Sequence, residues 1–324
     1  MTGGLAKLTE RKGMPRGRRN VRDYGIVVAF LLLFIGLSLA TRTFLTQQNL
    51  VNLLDQQAIF AVLACGATLA IVTGVFDLSI SAILALSAII SVSVAGVAGT
   101  PVGFAAGIAT GAVLGIINGV VVHYGKVNAF IATLASSIVF RGLALVISGG
   151  NTLKTSADGY DIFGVRSPIF GMTYSSVVMI AVAIVTAILL AKTVYGRSLY
   201  AVGGNMEAAR LSGIRTDVVR VSIFMISGML AALGGLLVTS RFGTAQANTG
   251  IGWELTAIAA SVVGGTSILG GEGAIWRAML GIFILALIGN GMNLLTIDST
   301  FQQVVQGLLI LFAVILDQFL RRRR

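Results

Sequence analysis

The sequence is poor in charge. Only 11% of its 324 residues are Asp, Glu, Lys or Arg, against about 25% in an ordinary soluble domain, which excludes a soluble globular protein. There is one histidine and one cysteine. A single histidine leaves no serine–histidine arrangement and no His/Asp/Glu cluster, so neither an embedded enzyme nor a metal or other cofactor site is expected. A lone cysteine can form no internal disulfide, and Cys65, inside an apolar run, reads as a small buried apolar residue. No stretch matches the phosphate-binding loop Gly-x-x-x-x-Gly-Lys-Ser/Thr. The nearest glycine run, Gly264 to Gly271, has no lysine. Any nucleotide chemistry therefore belongs to another chain.

What is abundant is apolar: 56% of the residues are hydrophobic. The net charge of +11 looks at first like a nucleic-acid signal, but its placement argues otherwise. Residues 1–22 hold seven basic groups against Glu10 alone, and residues 321–324 are four arginines, so the two ends carry ten of the eleven charges. The body, 23–320, is nearly neutral. No basic face remains for a nucleic acid, and an integral membrane protein in contact with lipid is what fits.

A membrane helix needs about 20 mostly apolar residues. Runs at 24–40, 51–73, 79–98, 102–122, 128–147, 172–191, 218–240, 253–269, 274–294 and 301–320 predict ten spans. The third and fourth are separated only by Gly99-Thr100-Pro101, and the eighth is short and glycine-rich. The first run reads as a retained span rather than a cleaved signal peptide, since no small-residue cleavage site follows it. Two basic ends call for an even number of spans with both termini in the cytoplasm. Ten spans also put Lys192, Arg197, Arg210 and Arg215 inside, together with His123 and Lys126 at a span end. The organisation is then a basic tail at 1–22, a single permeating domain at 23–320 with a cytoplasmic loop at 196–215, and a basic tail at 321–324.

The two halves echo each other. Phe76-Asp77-Leu78-Ser79 opens the third span and Trp253-Glu254-Leu255-Thr256 the eighth. Ile117-Asn118-Gly119 closes the fourth and Gly289-Asn290-Gly291 the ninth. The matching segments lie five spans apart. An odd offset reverses direction across the membrane, so spans 2–5 and 7–10 form two inverted repeats, a common transporter plan. Asp77 and Glu254 are then matching points at span starts. Each is either a carboxylate stabilised by the positive end of a helix or a gate or substrate contact. Arg141, in the middle of an apolar run, must face protein or water; its partner, Asp77 or another group, is open at this level.

The loop 196–215 reads GRSLYAVGGNMEAARLSGIR. Met206 to Leu211 predicts a short helix stopped by Gly213. Here the chain resembles the membrane permease subunits of ABC importers, because Glu207-Ala208-Ala209-x-x-x-Gly213 is similar to the coupling loop of that superfamily. Tyr200-Ala201-Val202-Gly203-Gly204-Asn205, Glu254-Leu255-x-Ala257-Ile258-Ala259-Ala260, Val263-Gly264-Gly265-Thr266-Ser267-x-x-Gly270-Gly271-x-Gly273, Asn118-Gly119, Phe130-Ile131-Ala132-Thr133-Leu134 and Phe140-Arg141-Gly142 extend the likeness over about residues 50–320, closest to the ribose-type sugar permeases. One departure stands out: Gly74-Val75-Phe76-Asp77-Leu78-Ser79 where that family usually has Gly-Gly-Ile-Asp-Leu-Ser.

The resemblance implies an all-α integral membrane protein of the type II ABC importer kind, in a bacterial inner membrane. It would form the path for a monosaccharide and hydrolyse nothing. Its implied partners are a cytoplasmic ATP-binding subunit, an extracytoplasmic sugar-binding protein and a second permease copy or sister permease. Gly203, Gly204, Asn205, Glu207, Ala208, Ala209, Arg210, Leu211 and Gly213 are the implied ATPase-coupling residues. Glu207 and Arg210 would serve as polar contacts, with Leu211 and the alanines packing into a groove. Phe76, Asp77, Asn118, Phe130, Trp253, Glu254 and Asn290 are the candidates for the translocation path, and Gln302, Gln303 and Gln306 are further amides for it. Related permeases carry nucleosides or branched-chain amino acids. An ion-coupled secondary transporter is the rival from another class, and it leaves the coupling loop unexplained.

Overall fold

The computed structural model describes residues 16–167, 169–298 and, within 301–311, residues 301, 304, 305, 307, 308 and 311. The basic stretch 1–15, the arginines 321–324, most of the expected tenth span, and Gln302, Gln303 and Gln306 lie outside the described residues.

Among the described residues the chain is helical: α1 (Arg16–Ala40), α2 (Gln47–Val72), α3 (Ile80–Ala98), α4 (Thr100–Tyr124), α5 (Ala129–Ser148), α6 (Tyr174–Lys192), α7 (Val194–Gly204), α8 (Met206–Leu211), α9 (Thr216–Phe242), α10 (Trp253–Val263) and α11 (Ile275–Leu294). No strand forms there; Leu153 with Ala245 and Arg166 with Thr173 make isolated bridges. Seven helices, α2 to α6, α9 and α11, are long and apolar enough to cross a membrane. Their bounds follow the apolar runs to within a few residues. Local chemistry sets the ends. Thr46 caps α2 by accepting from Asn49 N (3.3 Å), and Asn128 caps α5 by accepting from Phe130 N (2.9 Å). The narrow Gly99-Thr100-Pro101 boundary is a true break: Gly99 has φ +87°, and Pro101 sits in the first turn of α4.

Helix α9 lies at the centre, packed by α2, α3 and α4. Gly103, Gly107, Gly111, Gly115 and Gly119 recur every four residues on α4 and form one face against α3 and α9. A Cβ at Gly111 would collide with Gly228 O, and one at Gly115 with Phe224 O. These helices touch backbone to backbone, the close packing that holds helices together where lipid removes the hydrophobic drive between them.

The eighth apolar run departs from expectation. It forms a helix only over Trp253–Val263, about 16 Å long at 1.5 Å per residue, half of the ~30 Å that a span requires. Gly264 closes it, and a Cβ there would lie 2.5 Å from Arg277 O of α11; residues 264–274 continue as irregular backbone. Phe60, midway along α2, packs on Trp253 with ring centroids 4.8 Å apart. Helix α10 therefore starts inside the bundle, not at its rim, so Glu254 is an interior acid rather than the outer end of a full span.

Candidate functional site

The helix predicted at Met206–Leu211 is α8. Asn205 Oδ1 accepts from Ala208 N (3.0 Å). Gly213, at φ +84°, ends the helix, with Gly213 N donating to Arg210 O and Ile214 N to Ala209 O, the paired bonds of a Schellman ending. Glu207 and Arg210 form an exposed ion pair (2.6 Å), and the hydrogen bond that Arg210 Nη2 donates to Glu207 Oε1 holds the guanidinium above its ordinary pKa. The expectation that both alanines face a partner needs correcting. Ala209 is buried against its own chain, whereas Leu211 is 79% exposed. The exposed residues of α8 are thus Met206, Glu207, Ala208, Arg210 and Leu211.

Sequence reasoning grouped Gly203 and Gly204 together, but the structure separates them. A Cβ on Gly203 would overlap Val72 O at the end of α2 and lie 2.8 Å from Gly271 N, while Gly204 has nothing within 4 Å. Gly271 N donates to Val72 O (2.8 Å), and Tyr200 Oη of α7 donates to Gly273 O (2.7 Å). Helix α7, itself not anticipated, is thereby knitted to α2 and to the backbone that follows α10. Gly203 is thus an internal junction with no room for a side chain.

Asp77 lies in the turn before α3 and is buried, as are Ser79, Asn118 and Ser227. Its Oδ1 accepts from Ser79 N (3.0 Å) and Ser79 Oγ (2.5 Å); its Oδ2 accepts from Ser227 Oγ of α9 (2.8 Å). Asn118 Nδ2 of α4 donates to Ser79 Oγ (2.7 Å). Asp77 and Asn118 are thus brought into one network that ties α3, α4 and α9. Thr133 Oγ1 donates to Ala129 O (2.8 Å) and lies 3.4 Å from the carbonyl oxygens of both Phe76 and Phe130, so the backbones of these two residues come close there.

Arg141 does not reach Asp77. Its Nη1 donates to Ala247 O (2.5 Å) and Thr249 O (3.4 Å), and its Nη2 to Ser81 Oγ (3.3 Å). Glu254 is its electrostatic neighbour, and Glu254 Oε2 is buried without a hydrogen-bond donor among the described residues. One arginine of α5 therefore pins the loop before α10 to the start of α3.

Trp253 and Asn290 line a common cavity of about 590 Å³ between α2, α10 and α11. Asn290 exchanges amide hydrogen bonds with Asn49 of α2 (2.8 and 3.2 Å). Sequence reasoning missed Asn49 and also Asp55, a buried acid whose Oδ1 accepts from Thr173 N, Thr173 Oγ1 and Ser176 Oγ at 3.0, 2.8 and 2.6 Å at the start of α6. An acid inside the apolar run 51–73 was the available signal.

A family model described as "Branched-chain amino acid transport system / permease component" matches residues 49–314. The chain is similar to ribose import permease protein RbsC of Bacillus subtilis (strain 168), 42% identical over 92% of this chain and 93% of that one. It is likewise similar to RbsC of Escherichia coli (strain K12), 38% identical over 90% and 92%, and to L-arabinose transport system permease protein AraH of Escherichia coli (strain K12), 37% over 93% and 92%. No solved structure matches it. With its multiple apolar helices the chain is a multi-pass inner-membrane protein, and it belongs to this family of transport-system permease components, as the membrane-spanning transport subunit of an ABC importer rather than an enzyme.

Proposed function

We propose that the chain carries a monosaccharide of the ribose or arabinose kind through the membrane in an ATP-driven, binding-protein-dependent importer. The observation that carries this reading is the similarity, over nine-tenths of its length, to ribose and arabinose permeases at 37–42% identity. The family description names a different cargo, branched-chain amino acids, but the sugar permeases match nearly the whole chain and are the better guide.

In this reading the body 23–320 has ten spans, with the tails 1–22 and 321–324 and the loop 196–215 in the cytoplasm. Two inverted halves are supported by reciprocal packing. Helices α3 and α4 pack on each other and on α9, as α10 and α11 pack on each other and on α2, with α2 against α9 between them. Direction agrees. The turn leading into α3 meets the α7 junction through Gly74 and Gly203, whereas the loop leading into α10 pairs Ala245 with Leu153 beyond the end of α5.

A cytoplasmic ATP-binding subunit grips α8 through Glu207, Arg210 and Leu211. An extracytoplasmic sugar-binding protein delivers the cargo, and a second permease, identical or sister, completes the path. When the ATPase closes on nucleotide, α7 and α8 move together. The Gly203–Val72–Gly271 contact passes that motion to α2 and to the segment behind α10, so Trp253 and Glu254 shift within the bundle. Phe76, Asp77, Asn118, Phe130 and Asn290 belong to the same path.

The test is uptake in proteoliposomes holding the permease, its ATPase and the binding protein. D-ribose or L-arabinose should enter only with ATP, and Glu207→Lys should release the ATPase while the permease stays folded. Uptake that runs without ATP and collapses with an ion gradient would sink the reading.

A further inference from the structure

We propose that the cavity between α2, α10 and α11 is a binding site for one neutral sugar ring on its way through the permease. This deepens the sugar-importer reading and rests on it. The cavity, about 590 Å³, falls in the range of small-molecule sites, roughly 300–1,000 Å³. One wall is aromatic: Trp253, held by Phe60 at 4.8 Å and a 53° tilt, lines it with Phe60 itself. An indole offers a flat, electron-rich face to the C–H edges of a sugar. The other walls carry the amides of Gln57, Asn290 and Asn293 and the hydroxyl of Thr256, groups that both donate and accept, as sugar hydroxyls do. Asn290 is preset by its double hydrogen bond to Asn49, so ordering it costs little when a ligand arrives.

The lining also says what is excluded. Among the described residues, none of the sixteen that line it is Asp, Glu, Lys, Arg or His. An amino acid would bring an ammonium and a carboxylate into a site with no counter-charge on its walls, and a buried charge without a partner is costly. A neutral polyhydroxylated ring pays no such penalty. The position suits transit, since Trp253 stands level with the middle of α2. The lining thus separates two cargoes that overall similarity leaves joined within one family.

The chain has two tryptophans, and Trp276 is half exposed at the start of α11 and outside the cavity. Trp276→Phe therefore leaves Trp253 as the only tryptophan of this chain. The full-length variant, in complex with its ATPase in nanodiscs, is titrated with D-ribose and separately with L-leucine, and the emission of the same complex carrying Trp253→Phe as well is subtracted, so that the difference reports Trp253 alone. D-ribose should change the Trp253 emission saturably and L-leucine should not. Asn290→Leu and, separately, Gln57→Leu should raise the half-saturation about tenfold, one lost hydrogen bond to a hydroxyl. Gln57→Leu keeps the test decisive if loss of the Asn49 pair unfolds the first variant. No response to D-ribose, from a complex that imports D-ribose in proteoliposomes, would overturn the site and leave the permease reading standing. Import of L-leucine and not D-ribose would overturn both.

Discussion

Replacing Gly203 by alanine tests whether the α7 junction transmits force, and Gly204→Ala is its built-in control. The two positions are neighbours at the end of one helix and differ only in surroundings. A Cβ at 203 would overlap Val72 O and approach Gly271 N to 2.8 Å, both rigid backbone atoms, while a Cβ at 204 meets nothing within 4 Å. Overpacking of this kind costs about 1–3 kcal/mol. Pushing α7 away from α2 and the 264–274 segment also breaks the Gly271 N to Val72 O bond of 2.8 Å, another 0.5–1.5 kcal/mol or so. For a chain of 324 residues, a total of about 2–4 kcal/mol corresponds to a fall in melting temperature of roughly 3–6 °C, against little or no change for Gly204→Ala. The assay has two readouts: thermal unfolding of the purified complex, and sugar imported per ATP hydrolysed in proteoliposomes. Gly203→Ala should lower both, with hydrolysis persisting while import drops. If Gly203→Ala matches Gly204→Ala in melting temperature and in coupling ratio, the junction carries no load and the reasoning fails.

Three further outcomes are expected. Asp77→Leu strips the acceptor from Ser79 N, Ser79 Oγ and Ser227 Oγ and should cost about 2–5 kcal/mol, seen as lost yield of folded permease; Asp77→Asn, which keeps an acceptor, should cost about 1 kcal/mol. Arg141→Met frees Ala247 O and Thr249 O and should depress import more than Arg141→Lys, measured as initial uptake rate at equal protein. Cys65 is fully buried, so an impermeant maleimide should ignore it. Lys154→Cys should then label from outside intact cells and Ser212→Cys only in inverted vesicles, and the reverse pattern would invert the proposed topology.

Much of the membrane plan is legible residue by residue. Apolar runs predict α2 to α6, α9 and α11 because a helix in lipid must satisfy its own backbone over a fixed length. Gly213 announces the end of α8 because only glycine adopts its φ of +84° without strain. Less legible was the eighth run. Its composition passes for a span, yet Gly265, at φ +81°, turns the chain out of the helix just past Val263, with Gly265 N bonded to Val262 O and Thr266 N to Ser261 O. Asp55 went unread because its three donors come from residues 173 and 176, more than a hundred positions away.

By itself, then, the sequence determined that this is a membrane protein, where its seven long apolar helices run, that a short helix ends at Gly213, and that the charge lies at the ends. Each of these is a local property, set by a segment against lipid, water or its own backbone. Only the tertiary structure decided that Arg141 bonds to Ala247, Thr249 and Ser81 and not Asp77, that a Cβ is blocked at Gly203 and not at Gly204, and that Trp253 and Asn290 share a cavity. Those are distances between segments remote in the chain. The scarcity of charge, which first excluded a soluble protein, recurs in that cavity, where none of the described lining residues is ionisable.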